Sequence, residues 1–437
     1  MDFFEKNMKK FTIKTLGCKT NQIESAIIEE KLLNEGFFNV TKSEDADYFI
    51  LNSCSVTNSA DNKALSTLTS VKKHNPKIIT VLTGCFAQLE SESLKNNPCI
   101  DILVGNQEKT DIAQILKSNK KYIVSDIFSH KDFRYEELND LRKTRATIKI
   151  QDGCNNRCSY CTIPLARGSN RSNSVKNIIR QVNILAENGF EEVVFTGIHI
   201  GQWGYDFDEK TTLIKLLEEI EKTKITRYRL GSLNPLELND KLVDFLANSS
   251  KFCPHFHLSL QSACDKTLTD MNRHYSFNLS YELISKLNEK FQLPFIGSDV
   301  IVGFPGESDE DFLLTYNNLK KSNISQIHVF PYSKRKNTKA CDMPDQVSAE
   351  KKKERANLLK KLSEKKLEEF FKKNIGTTAE IIVEKNKDKQ TGLYKGVTRN
   401  YINVLLEGKP ETDCNIQKVK ITGFSQNKNK LKGEIIS

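Results

Sequence analysis

The chain has 437 residues, enough for two or three domains, and 38% of them are apolar, enough to fill real cores. No run approaches the roughly 18 apolar residues of a membrane helix, and the opening MDFFEKNMKK lacks the apolar centre of a secretory signal, so neither a membrane span nor an exported disulfide scaffold is predicted. Eleven cysteines without such a signal point to a reducing, cytoplasmic setting, where thiols serve metals or catalysis. The formal charge of +10 is carried by the end of the chain: residues 351–437 hold 21 Lys/Arg against 11 Asp/Glu, leaving 45 of each before them. A basic terminal segment suits a polyanion such as nucleic acid, although a solvated, lysine-rich tail has the same composition.

Residues 1–130 alternate strand and helix patterns. Apolar, β-rich runs at 11–16, 48–51, 78–82 and 102–104 predict strands, each followed by a helical stretch, the first over 22–34. That order predicts an open parallel-sheet α/β domain. Cys18, Cys54 and Cys85 each follow one of the first three strands. The carboxyl ends of parallel strands form the ligand crevice of open α/β sheets, so the topology can gather these three thiols on one rim. Three thiolates there would form a second cluster site; three scattered core cysteines would leave the same trace.

Residues 131–143 are polar and charged and predict a linker. From Arg145 onward, strands are expected at 147–150, 193–196, 227–230, 255–260, 297–302 and 326–330, with helices such as 175–187, 213–222 and 281–290 between them. Six β/α units predict an open, incomplete (β/α)6 barrel, whose site lies in the loops after the strands. The first of those loops carries GCNNRCSYC, with Cys154, Cys158 and Cys161 in a C-x3-C-x2-C spacing. Thiolates select zinc or an iron–sulfur cluster. Structural zinc prefers four ligands on paired arms, and no second arm stands nearby. A four-iron cluster on three thiolates keeps one iron open for a small molecule. Gly153 permits a sharp turn beside the first ligand, and Tyr160 can shield a cluster edge. Gly197, Gln261, Asp299, Gly303 and Pro305 lie at or just after later strands and are candidates for contacting a bound cofactor. His199 and His257 sit in apolar runs and are expected to be structural.

Residues 350–373 form a lysine–glutamate pattern expected as a connecting helix with a solvated face. Short strands at 379–384, 393–398, 401–406, 418–422 and 432–436 then predict a small antiparallel barrel of the kind that binds nucleic acids. Deleting 375–437 is expected to cripple RNA binding but leave the cofactor chemistry of the cysteine loop.

Over nearly its full length the sequence resembles the radical S-adenosylmethionine (SAM) methylthiotransferases, which insert sulfur and a methyl group into a C–H bond. The resemblance rests on TLGCKTNQIES at 15–25, NSCSVTNSAD at 52–61, TGCFAQ at 83–88, IQDGCNNRCSYCTIPLARG at 150–168 and GVTRNYINVLL at 396–406. It implies an amino-terminal methylthiotransferase domain (1–130), a radical SAM core (140–370) and an RNA-binding TRAM-like barrel (374–437). It implies a 4Fe–4S cluster on Cys154, Cys158 and Cys161 that binds SAM, and an auxiliary 4Fe–4S cluster on Cys18, Cys54 and Cys85. SAM then serves as both radical source and methyl donor, with an electron donor and a sulfur source still to be identified. VTNSAD, LSLQSACDKTLTDMNRHY at 258–275 and HVFPYSKRKNTKA at 328–340 are most similar to the members acting on N6-threonylcarbamoyladenosine at position 37 of a tRNA anticodon loop. Sibling enzymes act on isopentenyladenosine in tRNA or on an aspartate of a ribosomal protein, and a non-catalytic iron–sulfur or zinc RNA-binding protein is the alternative from another class. The sequence departs from the family at Ala263-Cys264, usually Gly-Ser, and at Arg157, usually aromatic. Cys99, Cys253, Cys264, Cys341 and Cys414 are read as ordinary thiols.

Overall fold

The computed structural model describes residues 8–138, 143–410, 415–426 and 429–436, so Cys414 and residues 139–142 of the expected linker lie outside the described residues. The chain divides into two compact units interleaved in sequence: Met1–Leu138, Gln151–Asn173 and Ser333–Cys341 form the first, and Asn139–Ile150, Ser174–Tyr332 and Asp342–Ser437 the second.

The first unit is built on six parallel strands: β1 (Lys10–Thr15), β2 (Phe38–Asn39), β3 (Tyr48–Ser53), β4 (Ile79–Gly84), β5 (Ile102–Val104) and β6 (Tyr122–Ile123), in the order β2-β1-β3-β4-β5-β6. β3 is buried at every position, which is why it reads as a continuous apolar run rather than an alternation. Its side chains divide between two cores. Ile50 packs with Phe11, Val81, Ile28 and Leu32 on one face, while Phe49 and Leu51 pack with Ala64, Leu68 and Leu82 on the other. The chain leaves β1 for β2 on one side and continues to β3 on the other, so the order reverses at β1/β3. Such switch points open a crevice at the strands' carboxyl ends.

β7 (Ala146–Lys149) belongs to the second unit, after which the chain forms an antiparallel pair in the first, β8 (Gln151–Asp152) with β9 (Arg171–Ser172). The second unit continues with β10 (Glu192–Thr196), β11 (Arg227–Leu230), β12 (His255–Gln261), β13 (Phe295–Val302) and β14 (Gln326–Pro331). Two parallel sheets, β11-β10-β7 and β12-β13-β14, are joined at their edges by the parallel bridges Tyr228↔Phe252 and Leu233↔Leu258. Six parallel strands in an open row are the incomplete barrel expected from the sequence. Helices Val175–Glu187, Leu213–Glu221, Asp240–Asn248 and Phe277–Lys290 bury their apolar stripes on it in one large core.

The closed carboxy-terminal barrel comprises β15 (Thr378–Val383), β16 (Tyr394–Thr398), β17 (Asn403–Glu407), β18 (Ile416–Phe424) and β19 (Leu431–Ile435). It is not wholly antiparallel, because β17 and β19 pair in parallel. A ring with an odd number of strands cannot alternate direction at every pairing, so closure demands at least one parallel contact. Nor is the barrel separable. Its interior residues Ile381, Val404 and Val419 share one core with Phe295 of β13 and with Phe370 and Phe371 of helix Ala349–Asn374. Tyr401 stacks on His255 with ring centroids 4.1 Å apart. Arg227 donates to the Val397 carbonyl (3.0 Å), and Arg229 to those of Thr398 and Arg399 (2.6 Å each). Deleting 375–437 would strip this core and take the barrel carbonyls from two buried guanidinium groups, leaving Glu192 to satisfy both. It would therefore cost stability, whatever else the barrel does.

Candidate metal centres

Each auxiliary cysteine sits where a strand hands over to a helix. Cys18 caps the amino end of helix Lys19–Asn34, Cys54 follows β3 ahead of helix Asn58–His74, and Cys85 is the first residue of helix Cys85–Leu89. Two glycines bring the loops together. A Cβ on Gly17 would fall 2.6 Å from Cys54 Cβ and 3.0 Å from its Sγ, and one on Gly84 would fall 2.3 Å from the Ser53 carbonyl oxygen. Both also have positive φ, at 104° and 95°. Burial, and then the neighbouring Cys85 thiol, push the Cys54 thiol up to about 11, with Cys18 adding to the effect. Three thiols therefore share one small region at the switch point, as the topology predicts.

The Asn21 amide ties these loops together. Its Nδ2 donates to the carbonyls of Leu16 (2.9 Å) and Ser53 (3.0 Å), the residues flanking the Cys18 and Cys54 loops. Its Oδ1 accepts 2.6 Å from Arg167 Nη2. Arg167 ends helix Ile163–Arg167, just beyond the second cysteine set, and is 1% exposed. Its Nη1 donates to Glu24 (2.9 Å) and Asp152 (3.0 Å), and Lys109 is a further partner of Glu24. Burial opposes the Arg167 cation, but Glu24 and Asp152 outweigh it and hold its pKa well above the ordinary value, with Cys85 adding to the pull. Arg167 Nε is buried without a hydrogen-bond partner among the described residues. The Arg167 cation works against the rise of the Cys54 thiol, but burial and the neighbouring thiols outweigh it.

The second cysteine set lies on a loop closed at its base by β8 and β9. A Cβ on Gly153 (φ 69°) would fall 1.9 Å from the Ser169 carbonyl oxygen, so only glycine fits there. Cys154 N donates to the Gly168 carbonyl (3.0 Å), and Cys161 N to that of Cys158 (3.1 Å). Gln151 Nε2 reaches Gly153 O (2.7 Å) and Asn170 Oδ1 (2.6 Å). Arg157 is exposed and turns back on the Cys154 carbonyl (3.4 Å), so it stabilises the loop it departs from. Cys154, Cys158 and Cys161 are all half-buried and lie in the same compact unit as Cys18, Cys54 and Cys85.

Among the described residues no three His, Cys, Asp or Glu side chains converge closely enough to hold a single metal ion. A four-iron cluster spans a wider gap than one ion does. Two sets of three thiols, the glycines that make room for them and the cation behind one set fit that larger group.

The remaining candidates lie in the second unit. Gly197 directly follows β10. Gln261 ends β12 with φ 69°, beside a register shift in the β12–β13 pairing, and is a strained non-glycine residue at a strand's carboxyl end. Arg273 Nη2 (2.8 Å) and the Tyr275 hydroxyl (3.0 Å) both donate to the Ser259 carbonyl in that irregular stretch. These two residues were visible in MNRHY, but nothing in their spacing shows which carbonyl they serve. Asp299 pairs with His257 (2.9 Å), and the His257 and His328 rings stack at 5.2 Å. Burial, and then His257, lower the His328 pKa. Gly303 has φ 69°, but its N–H is taken by Glu307 Oε2 (2.6 Å), as is that of Phe304 (3.1 Å), and Arg355 anchors Glu307 in turn (3.1 Å). Pro305 sits in that braced, buried turn. His199 pairs with Glu237, in keeping with a structural histidine.

Residues 10–105 match the Uncharacterized protein family UPF0004, and residues 148–319 the Radical SAM superfamily. The chain is 37% identical to the threonylcarbamoyladenosine tRNA methylthiotransferase of Aquifex aeolicus over 92% of its own length and 98% of that protein's. It is 35% identical to the enzyme of the same name from Bacillus subtilis, over 93% and 92%. It is 33% identical to a tRNA-2-methylthio-N(6)-dimethylallyladenosine synthase from Pelotomaculum thermopropionicum, over 95% and 96%. Among solved structures, the radical SAM methyltransferase TsrM of Kitasatospora setae, with cobalamin and a 4Fe–4S cluster bound, superposes with a TM-score of 0.57 at 13% identity. That match covers 76% of this chain and 77% of that one, a likeness of fold alone.

Proposed function

The chain belongs to the radical SAM methylthiotransferase family, and from that premise we propose that it attaches a methylthio group to carbon-2 of N6-threonylcarbamoyladenosine at position 37 of tRNA. The observation that carries this reading is that both three-cysteine sets fall in one compact unit, with Arg167 hydrogen-bonded between their supporting segments. Cys154, Cys158 and Cys161 are assigned to the SAM-binding 4Fe–4S cluster, and Cys18, Cys54 and Cys85 to an auxiliary 4Fe–4S cluster. When bound, such clusters and SAM supply one-electron chemistry able to act on an aromatic C–H bond that acid–base catalysis cannot replace.

The protein's own contribution is positional and electrostatic. The three auxiliary thiols must lose their protons on loading, and at Cys54 the Arg167 cation partly offsets the burial that opposes that loss. Gly197, Gln261, Asp299, Gly303 and Pro305 remain proposed cofactor contacts. For Gly303 the N–H is already spent on Glu307 and the Lys352 side chain packs over its Cα, 2.4 Å from where a Cβ would stand, so a contact there would require that flexible side chain to move. Lys418 and Lys420 alternate outward along β18 and are exposed, giving the barrel a cationic edge for phosphates. An adenosine in an anticodon loop is single-stranded and can be splayed out at modest cost. No helix among the described residues is long and apolar enough to cross a membrane, and tRNA as substrate fits a cytoplasmic setting.

Mass analysis of tRNA nucleosides from a strain lacking the protein tests the reading. The methylthio form of threonylcarbamoyladenosine should vanish while its unmodified parent accumulates. Loss of methylthio-isopentenyladenosine instead would reassign the substrate to that of the dimethylallyladenosine enzymes.

A further inference from the structure

We propose that Ser333–Cys341 is a strap fixing the auxiliary-cysteine rim to the radical SAM cysteine loop, with Arg335 as its positioning residue. The proposal rests on the assignment of the six cysteines to two clusters. Arg335 is 5% exposed. Its Nη1 donates to Asn58 Oδ1 and Asp61 Oδ2, and its Nη2 to Ser55 Oγ, each at 2.6 Å. Ser55 Oγ in turn donates to Asp61 Oδ1 (2.7 Å), closing a ring directly after Cys54. Ser333 Oγ accepts from Asn58 N (3.1 Å), a second hold on the same loop.

The other end of the strap grips the other cysteine set. Ala340 N donates 2.8 Å to the carbonyl of Ser159, which lies between Cys158 and Cys161, and Ala340 is fully buried. Between the two grips the strap is internally braced. Thr338 Oγ1 donates to the Arg335 carbonyl (2.7 Å), and Asn337 turns the backbone with φ 62°. One nine-residue segment, from a distant part of the sequence, thus bonds to the loops of both cysteine sets.

The physical consequence follows from the reaction class. Transfer of a sulfur-bearing group to an activated carbon needs the two centres at a fixed separation, and a misplacement of about 1 Å can cost roughly a hundredfold in rate. SAM cleavage needs only one centre. Weakening the strap is therefore expected to uncouple the two events rather than abolish both. The Arg335 guanidinium forms three hydrogen bonds with a fixed fork geometry that a lysine can only partly replace.

The test compares Arg335→Ala, Arg335→Lys and the exposed control Lys334→Ala in the full-length, anaerobically reconstituted protein, with tRNA carrying threonylcarbamoyladenosine. Iron content, the electron paramagnetic resonance signals of both clusters, and 5′-deoxyadenosine formed per methylthio product are read together. Arg335→Ala should keep its iron and cleave SAM within about twofold of wild type, yet release about tenfold more 5′-deoxyadenosine per product, with partial rescue in Arg335→Lys and no change in Lys334→Ala. An unchanged ratio in an iron-replete Arg335→Ala overturns the proposal. Should that variant fail to fold, Asn58→Ala removes one of the three bonds and should raise the ratio to a smaller extent; an unchanged ratio there overturns the proposal equally. A wild-type protein that forms no methylthio product breaks the functional reading itself, and the strap with it.

Discussion

Arg167 in the first unit and Arg229 in the second are each 1% exposed, and each faces a buried glutamate with a thiol close by. Arg229 and Arg227 enclose Glu192 at 2.8 and 2.7 Å, and both direct further N–H groups to carbonyls of the carboxy-terminal barrel. The burial of Glu192 works against its charge, but Arg229 and Arg227 prevail and hold its carboxyl below the usual range. Cys253 beside Arg229 is a lone, fully buried thiol, and burial raises its pKa. Arg167 keeps one buried N–H without a partner, and the thiol in its field belongs to a group of three. The same pairing of guanidinium and carboxylate fastens a domain in one place and stands beside the proposed cluster cysteines in the other. What separates them is the company of the cysteine and whether the arginine's donors are used up.

The comparison can be broken at the structural network first. Glu192→Ala removes the carboxylate shared by two buried guanidinium groups, leaving Arg227 only the longer Glu380 contact (3.4 Å), and should cost about 3–5 kcal/mol in thermal or denaturant unfolding, with iron per folded chain unchanged. Arg167→Met should cost less, about 2–3 kcal/mol, because Lys109 still pairs with Glu24. Unlike Glu192→Ala, it should also lower the iron retained at the auxiliary centre, read as iron per chain in folded protein. Equal iron loss in both variants would erase the distinction.

A third variant separates the two cysteine sets. Gly153→Ala forces a Cβ into the Ser169 carbonyl and a strained φ, costing about 1–3 kcal/mol. Its iron loss should be confined to the SAM-binding centre, so that 5′-deoxyadenosine formation falls while the auxiliary cluster's spectrum persists.

The smallest effect concerns a buried amine in the second unit whose burial outweighs the pull of the Glu369 carboxylate. Burial lowers the Lys366 pKa to about 8, and its Nζ donates to the carbonyls of Ser322 (2.6 Å) and Lys320 (3.2 Å). Between pH 8 and the ordinary lysine range the unfolded chain binds more protons than the folded one, so this group's contribution to stability rises with pH there. The difference in unfolding free energy between wild type and Lys366→Met should grow over that window in favour of wild type. A pH-independent difference would show that Lys366 does not titrate early.

Much of the fold was legible because burial on both faces or on one stripe writes a periodicity into the chain. β5, β11 and helix Val175–Glu187 match their expected bounds, and the other long strands begin or end within two residues of theirs. The two-residue strands β2, β6, β8 and β9 carry no period to read. The parallel β17–β19 contact follows from closing an odd ring, which no single strand reveals. At the candidate site, the cysteines stood out by residue type and by their place after strands. Arg167 and Arg335 did not, because, apart from Asp152, their partners lie 143 to 280 residues away and an arginine's sequence context does not show which carboxylate it will meet. The helix at 350–373 was read as a solvated connector, yet it buries Arg355 and Lys366 to brace turns elsewhere in its unit.

The central claim is that two cysteine triads in one compact unit each hold a four-iron cluster. Iron and sulfide quantitation after anaerobic reconstitution tests it most directly. Wild type should bind about eight irons per chain, and the Cys18→Ala/Cys54→Ala/Cys85→Ala protein about four while still cleaving SAM. About four irons in wild type, unchanged in the triple variant, or bound zinc in place of iron, would contradict it.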